Sequence, residues 1–393
     1  MSLDALRGFD MLWILGADAV VQALAKLNDS APLRLLAGQV DHSEWAGFRF
    51  YDLIFPLFVF IAGVSLVFSV SKTIEQHGRA TAARRILVRA AILFLLGILY
   101  NGGLTHAWPG VRLMGVLQRT ALAYAAAGLL FCFVRYRFRC ATGALLLAVY
   151  WALLTFVPIR NVAIDRSALA GRFGPATPTT EQVRQLYAGT ADTVTGRYEP
   201  GLNLANHLDY LWLPGAKYDT YWDPEGLLST LPAIATCLLG VMAGCQLRRG
   251  DRTQRQKLYR LLLSGAICLI LGCAWGTQFP VIKKIWTSSF VLVAGGCSLL
   301  LLAAFYYLVD IRQWRGWCQP FVWIGLNPIT LYLASALVDF GRIAAHLAGG
   351  SVAAILDAHL AAGAGDFVLA LVTLGLLVGL ARFLYLRKVF LRV

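Results

Sequence analysis

Charge is what this sequence has least of. Asp, Glu, Lys and Arg supply 14% of 393 residues, against roughly 25% in a soluble domain. That deficit excludes the two or three soluble domains that length alone would suggest. Strict apolar–polar alternation over about ten residues is missing as well, which points away from a β-barrel. No CxxC and no His/Cys ligand spacing occurs, so no metal site is expected. The eight cysteines (Cys132, Cys140, Cys237, Cys245, Cys268, Cys273, Cys297 and Cys318) all fall outside 159–224, the longest polar stretch. A disulfide framework therefore has no basis. No internal repeat is visible, which weakens the case for an inverted-repeat transporter. No cleavable signal peptide is visible either, and the first apolar segment is expected to act as the insertion signal.

What is present is apolar: 58% hydrophobic residues and a mean hydropathy of +0.64. Segments of about 20 residues, enough to cross a hydrocarbon core of about 30 Å, recur at 6–27, 49–71, 86–101, 113–134, 140–158, 225–247, 258–276, 286–309, 319–340 and 366–386. The expected fold is an all-α polytopic membrane protein of about ten transmembrane helices. It forms one transmembrane domain over 1–393, with the lipid bilayer as partner. The net charge of +14 does not imply nucleic acid, because the cations gather in alternate loops. Lys72, Arg79, Arg84, Arg85 and Arg89 form one group; Arg135, Arg137 and Arg139 form another. Arg248, Arg249, Arg252, Arg255, Lys257 and Arg260 follow, then Arg312 and Arg315, then Arg382, Arg387, Lys388 and Arg392. The opposite short connections hold only Lys26, Arg34, Arg49, Arg112, Lys283, Lys284 and Arg342. The positive-inside rule then places both termini in the cytoplasm and 159–224 outside. Aromatics in that outer loop, Tyr210, Trp212, Tyr218, Tyr221 and Trp222, suit either a sugar-stacking surface or an interfacial belt. The weakly apolar 342–365 reads as a short surface or re-entrant helix.

A charge inside the bilayer costs at least about 2.5–3.5 kcal/mol, so the few present are functional candidates. Asp18 lies roughly 18 Å along the first segment at about 1.5 Å per residue, in its outer half. Asp52 enters the second segment from outside, behind His42 in the connection. Gln118 and Arg119, Glu225, and Trp286 with Ser288 and Ser289 fall in the same outer layer. Several segments thus send polar groups to one level, as the walls of a single cavity would. His42 is flanked by Asp41 and Glu44, and an imidazole beside a carboxylate is a competent general base near neutral pH. Structural alternatives stand beside these readings. Asp52 and Arg119 suit a simple ion pair, Glu225 suits a helix N-terminus, and Asn327 suits the helix break before Pro328. His77, His106, His207, His346 and His359 are expected at the surface.

The stretches "SLDALRGFDMLWILGAD", "HSEWAGFRFYDLIFPLFVFIAGVSL", "GVLQRTALAY", "DPEGLLSTLPAIATCLLGVMAG" and "WTSSFVL" resemble the heparan-α-glucosaminide N-acetyltransferase family, over essentially the whole chain. The resemblance implies a transmembrane acyltransferase of the bacterial inner membrane. It would take acetyl-CoA from the cytoplasm and acetylate an amino sugar or related glycan on the periplasmic side. It places the essential histidine at His42, before Trp45 and the Asp52–Pro56 run. It also places Asp18 where the family carries a catalytic Asn, a departure that would let the side chain orient the imidazole or take a proton. The animal enzyme's extra luminal domain has no counterpart here, so the expected acceptor is smaller or a cell-wall sugar.

The expected catalytic set is His42, Asp18, Asp52 and Arg119. Gln118, Glu225, Trp286, Ser288 and Trp45 are expected to bind substrate. Arg84, Arg85, Arg135 and Asn327 are expected to bind the CoA thioester, with phosphates held by the cations. Direct transfer and an acetyl-histidine route both remain open, as do N- or O-acetylation and a homodimer. The alternative function is an inner-membrane transporter for an N-acetylglucosamine-type sugar.

Overall fold

The computed structural model describes residues 1–393 except 29, 104, 106, 109, 175–177 and 391–393; His106 and Arg392 thus lie outside the described residues. Among the described residues, eight helices are long and apolar enough to cross a membrane, or nine if one bent pair counts as a single broken span. Gln319–Gly325 and Pro328–Leu337 meet at 76°, where Pro328 cannot continue the first helix.

The expected segments 49–71 and 86–101 lie in one 51-residue element, Phe50–Tyr100. It is not a single rod. Gly78 sits at φ 83°, ψ 169°, a conformation open to glycine but not to L side chains. The Arg85 guanidinium donates to Thr73 Oγ1 at 3.4 Å, whereas a straight helix would separate those residues by roughly 18 Å. Leu66 and Ile86 likewise both press on Gly128. The chain therefore reverses at Gly78, and its two limbs correspond to the two expected spans. All ten expected segments are accounted for as helix, with small shifts: the sixth begins at Thr230 rather than 225.

Burial sorts the helices into layers. In Phe50–Tyr100 and Ser288–Ile311, 72% of the most apolar stretch is buried, against 11% in Ala364–Leu386. The last helix is apolar on every side, as a lipid-facing helix is. Central helices approach closely through glycine. A Cβ on Gly63 would lie 2.1 Å from the Cys237 carbonyl oxygen, and one on Gly240 would lie 2.0 Å from that of Phe60. The small-residue crossing of membrane helices has this form.

The 159–224 segment folds on itself. Ile159–Arg160 pairs antiparallel with Thr193–Val194, and helices Arg166–Phe173, Thr180–Gly189 and Leu204–Trp212 pack around them. Val162, Ile164, Leu169, Val183, Tyr221 and Trp222 form its own core. Tyr221 and Trp222 are thus neither sugar platform nor interfacial belt. His207, expected at the surface, is buried here: its Nε2 lies 3.2 Å from the Val162 carbonyl oxygen. The expected surface helix at 342–365 is two short helices, Phe340–Ala348 and Ser351–His359.

Candidate active site

A cavity of about 730 Å³ opens at the end of the bundle opposite Gly78. Asp52 and Tyr100 both line it, although a straight helix would hold them roughly 72 Å apart; the reversal brings them together. Other walls come from Met11 and Ile14, from 41–44, from Arg112, Val116 and Leu117, from Tyr218, Pro224 and Glu225, and from Lys283, Lys284 and Trp286.

On its wall His42 Nδ1 lies 3.0 Å from Asp52 Oδ1, with the imidazole 50% exposed and the carboxylate 1% exposed. Asp52 is held by a turn, Phe50–Leu53, that leads into the helix. Its other oxygen accepts from the Ser43 amide at 3.2 Å, the Ser43 hydroxyl at 2.8 Å and the Arg49 amide at 3.1 Å. The Arg49 side chain returns to the His42 carbonyl oxygen at 3.0 Å. The stretch 42–52 is thus a closed loop of hydrogen bonds around one buried carboxylate. Asp41 and Glu44 line the cavity, but the partner of the imidazole is Asp52.

Lys283 was not among the expected site residues. Its Nζ lies 3.0 Å from His42 Nδ1 and 3.5 Å from Asp52 Oδ1. Burial lowers its ammonium, with Asp52 opposing that effect. One ring nitrogen cannot donate to Asp52 and accept from Lys283 at once. With a proton on Nδ1, Asp52 accepts its hydrogen bond, Lys283 is left to the carboxylate, and the Nε2 lone pair lies 3.4 Å from Lys283 Nζ. The only hint in the sequence was the Lys-Lys pair just ahead of "IWTSSF".

Of the other expected residues, Glu225 and Trp286 line the cavity. Glu225 is no helix-start acid, since the next helix begins at Thr230. It accepts from Arg112 at 2.8 Å, and Arg112 also grips Asp223 through two contacts of 2.8 Å. Arg119 is fully buried one layer deeper. It donates to the Pro224 carbonyl oxygen at 2.7 Å and to the Ser229 hydroxyl, with its guanidinium 4.9 Å from the Trp286 ring. The expected Asp52–Arg119 pair does not form, because each side chain is drawn to nearer partners.

Gln118 packs against Gly97, and Ser288 donates to the Leu147 carbonyl oxygen at 2.7 Å; neither reaches the cavity. Trp45 stands behind the wall, its Nε1 donating to the Tyr198 carbonyl oxygen at 2.7 Å. Asp18 does not meet His42. It faces the Tyr51 hydroxyl, and the Tyr51 ring lies 4.8 Å from the imidazole, centre to centre.

The expected CoA ligands do not gather here. Arg84 and Arg85 follow the Gly78 reversal, and Arg135 caps the Tyr136–Phe156 helix at the same end. All three are exposed. Asn327 is buried in the break of the bent pair, donating to the Val389 carbonyl oxygen at 3.0 Å.

No protein-family model matches the chain. Two relatives do. The mouse (Mus musculus) heparan-alpha-glucosaminide N-acetyltransferase is 26% identical over 336 residues, covering 76% of this chain and 49% of its own length. The human (Homo sapiens) protein of the same name is 27% identical over 339 residues, with the same coverage. The chain thus spans about half the length of these relatives, the matched share being 49%. With the motifs of its first, second and fourth segments seated around one cavity, the chain is a distant relative of the heparan-alpha-glucosaminide N-acetyltransferases.

Proposed function

We propose that the protein is a membrane acetyltransferase in which His42 is the general base. The observation that carries this reading is the His42–Asp52 pair: a half-exposed imidazole held by a buried, fully bonded carboxylate at the mouth of a cavity. Distant kinship with acetyltransferases supports it; nothing in the geometry or the relatives favours a transporter.

In the proposed step Asp52 accepts a hydrogen bond from Nδ1–H, which fixes the tautomer and leaves the Nε2 lone pair to act. An acceptor amine or hydroxyl attacks the thioester carbonyl of acetyl-CoA. The new N–C or O–C bond forms as Nε2 takes the acceptor's proton; the C–S bond then breaks, and the imidazolium returns the proton to the CoA thiolate. Lys283 places a positive charge beside the imidazole, whereas the Arg112 charge is spent on Asp223 and Glu225. The Lys283 charge repels an ammonium group close to the imidazole, against the pull of Asp41, Glu44 and Glu225 on the same wall. It also favours the oxyanion of the tetrahedral intermediate. Arg119 acts on this region only through Trp286 and the 224–229 turn. The donor is proposed to enter from the cytoplasmic side and the acceptor, an amino sugar or related glycan, from the periplasmic side of a bacterial inner membrane.

The test is transfer of labelled acetyl from acetyl-CoA to glucosamine by the purified protein. His42→Ala should abolish it while leaving the melting temperature and acetyl-CoA binding close to wild type. Retained turnover would make His42 a surface residue; a large drop in melting temperature would make it structural.

A further inference from the structure

Of the aromatics in the 159–224 segment and the turn that follows, Tyr218 alone lines the cavity among the described residues. It is 65% exposed. Its neighbours Tyr221 and Trp222 are spent on the segment's own core, and Trp212 lies away from the cavity wall. An exposed aromatic on a cavity wall offers a flat face on which an apolar surface can stack.

Tyr218 is also held in place. The Arg112 guanidinium lies 5.2 Å from its ring centre, and the same Arg112 is locked by Asp223 and Glu225. The Tyr218 amide donates to Asp223 Oδ2 at 3.0 Å, so one carboxylate fixes both the backbone and the cation beside the ring. Two residues on, Thr220 sits at φ 70°, a left-handed conformation that is an outlier for a β-branched residue. Arg166 Nε donates to its hydroxyl at 2.7 Å, and the Asp219 amide donates to the Trp222 carbonyl oxygen at 3.1 Å. Trp286, on the cavity wall, is a second residue at positive φ, 52°. Backbone strain held by the surroundings in this way collects at ligand sites.

Resting on the acetyltransferase reading, we propose that Tyr218 is the platform for the ring of a pyranose acceptor. The apolar C–H face of the sugar stacks on the phenol, its amine or hydroxyl points towards His42, and Arg112 and Asp223 act as positioning residues for the platform. The KM for acetyl-CoA separates this use from stacking of the donor's adenine ring on the same phenol.

Steady-state kinetics of the full chain with acetyl-CoA and two acceptors, glucosamine and the acyclic amine ethanolamine, separate the alternatives. Tyr218→Ala should lower kcat/KM for glucosamine by about tenfold. The ethanolamine rate and the KM for acetyl-CoA should stay unchanged. Tyr218→Trp should restore glucosamine transfer, and Tyr218→Leu, which keeps bulk without a ring, should not. Equal losses for both acceptors, no loss for glucosamine, or rescue by Leu would overturn the platform while leaving the acetyltransferase reading intact. A wild-type protein that acetylates ethanolamine alone would do the same. A wild type that acetylates neither would overturn the acetyltransferase reading itself, and the platform with it.

Discussion

The resemblance places Asp18 where its side chain would orient the imidazole or take a proton. It instead faces the Tyr51 hydroxyl, and the Tyr51 ring lies tilted beside His42. An effect passed through one ring is smaller. Asp18→Asn and Tyr51→Phe should each lower kcat by about tenfold, or roughly 1.4 kcal/mol, and the double variant should lose no more than either alone. Losses that multiply would show that Asp18 reaches the site by another route. His42 and Asp52 were legible because a titratable pair at the entrance of an apolar run is costly without a use. Lys283 was not, and Tyr218 was only one of five aromatics that suited a sugar surface or an interfacial belt. A lysine in a short outer connection and a tyrosine in a long loop are ordinary residues until folding seats them on a wall. His207 misled for the converse reason: nothing adjacent in sequence signals that Val162, 45 positions away, covers it.

Two elements owe their placement to single residues. Gly78 turns the Phe50–Tyr100 element back on itself, and a Cβ there would touch nothing within 4 Å. The cost of Gly78→Ala is therefore backbone strain alone, about 1–3 kcal/mol. It should appear as a lower melting temperature with kcat unchanged, since the cavity is at the other end; an unaltered melting temperature would place the reversal elsewhere. Asp209 joins helix Leu204–Trp212 to the turn before Thr230, accepting from the Leu227 amide at 2.8 Å. Burial pushes its carboxyl up to about 7 from 3.8, against the pull of those amide bonds. Between these two values the folded protein holds a proton that the unfolded chain has released, so its stability falls as pH rises from 3.8 to about 7. Asp209→Asn carries no such proton. The melting temperature of wild type relative to Asp209→Asn should therefore decline across that window and level off above it; a constant difference would mean the carboxyl stays ionised throughout.

Over the whole molecule, periodicity and length located every apolar segment, because a lipid-crossing helix is specified by composition along a line. Pro328 marked the break in the 319–340 segment but not its angle of 76°, and nothing along the line says which helices stand at the centre, because packing partners lie far apart in sequence. The cations that sequence assigned to acetyl-CoA illustrate the same limit. Arg84, Arg85 and Arg135 gather at the Gly78 end, away from His42 and Lys283. A donor held there by its phosphates would have to extend its thioester along the bundle to reach the imidazole, whereas an acceptor would enter directly at the cavity mouth. That division predicts sidedness. Acetyl-CoA supplied to inside-out membrane vesicles, with glucosamine sealed within, should support labelled transfer; the same donor supplied to right-side-out vesicles should not, unless the membrane is permeabilised. Arg84→Ala with Arg85→Ala should raise the KM for acetyl-CoA about tenfold without changing that for glucosamine, the loss of two exposed charge-assisted phosphate contacts being worth roughly 1.4 kcal/mol. Transfer from the right-side-out face of intact vesicles would mean that donor and acceptor share the cavity mouth, and that the cations at the Gly78 end serve only to fix the orientation of the chain in the bilayer.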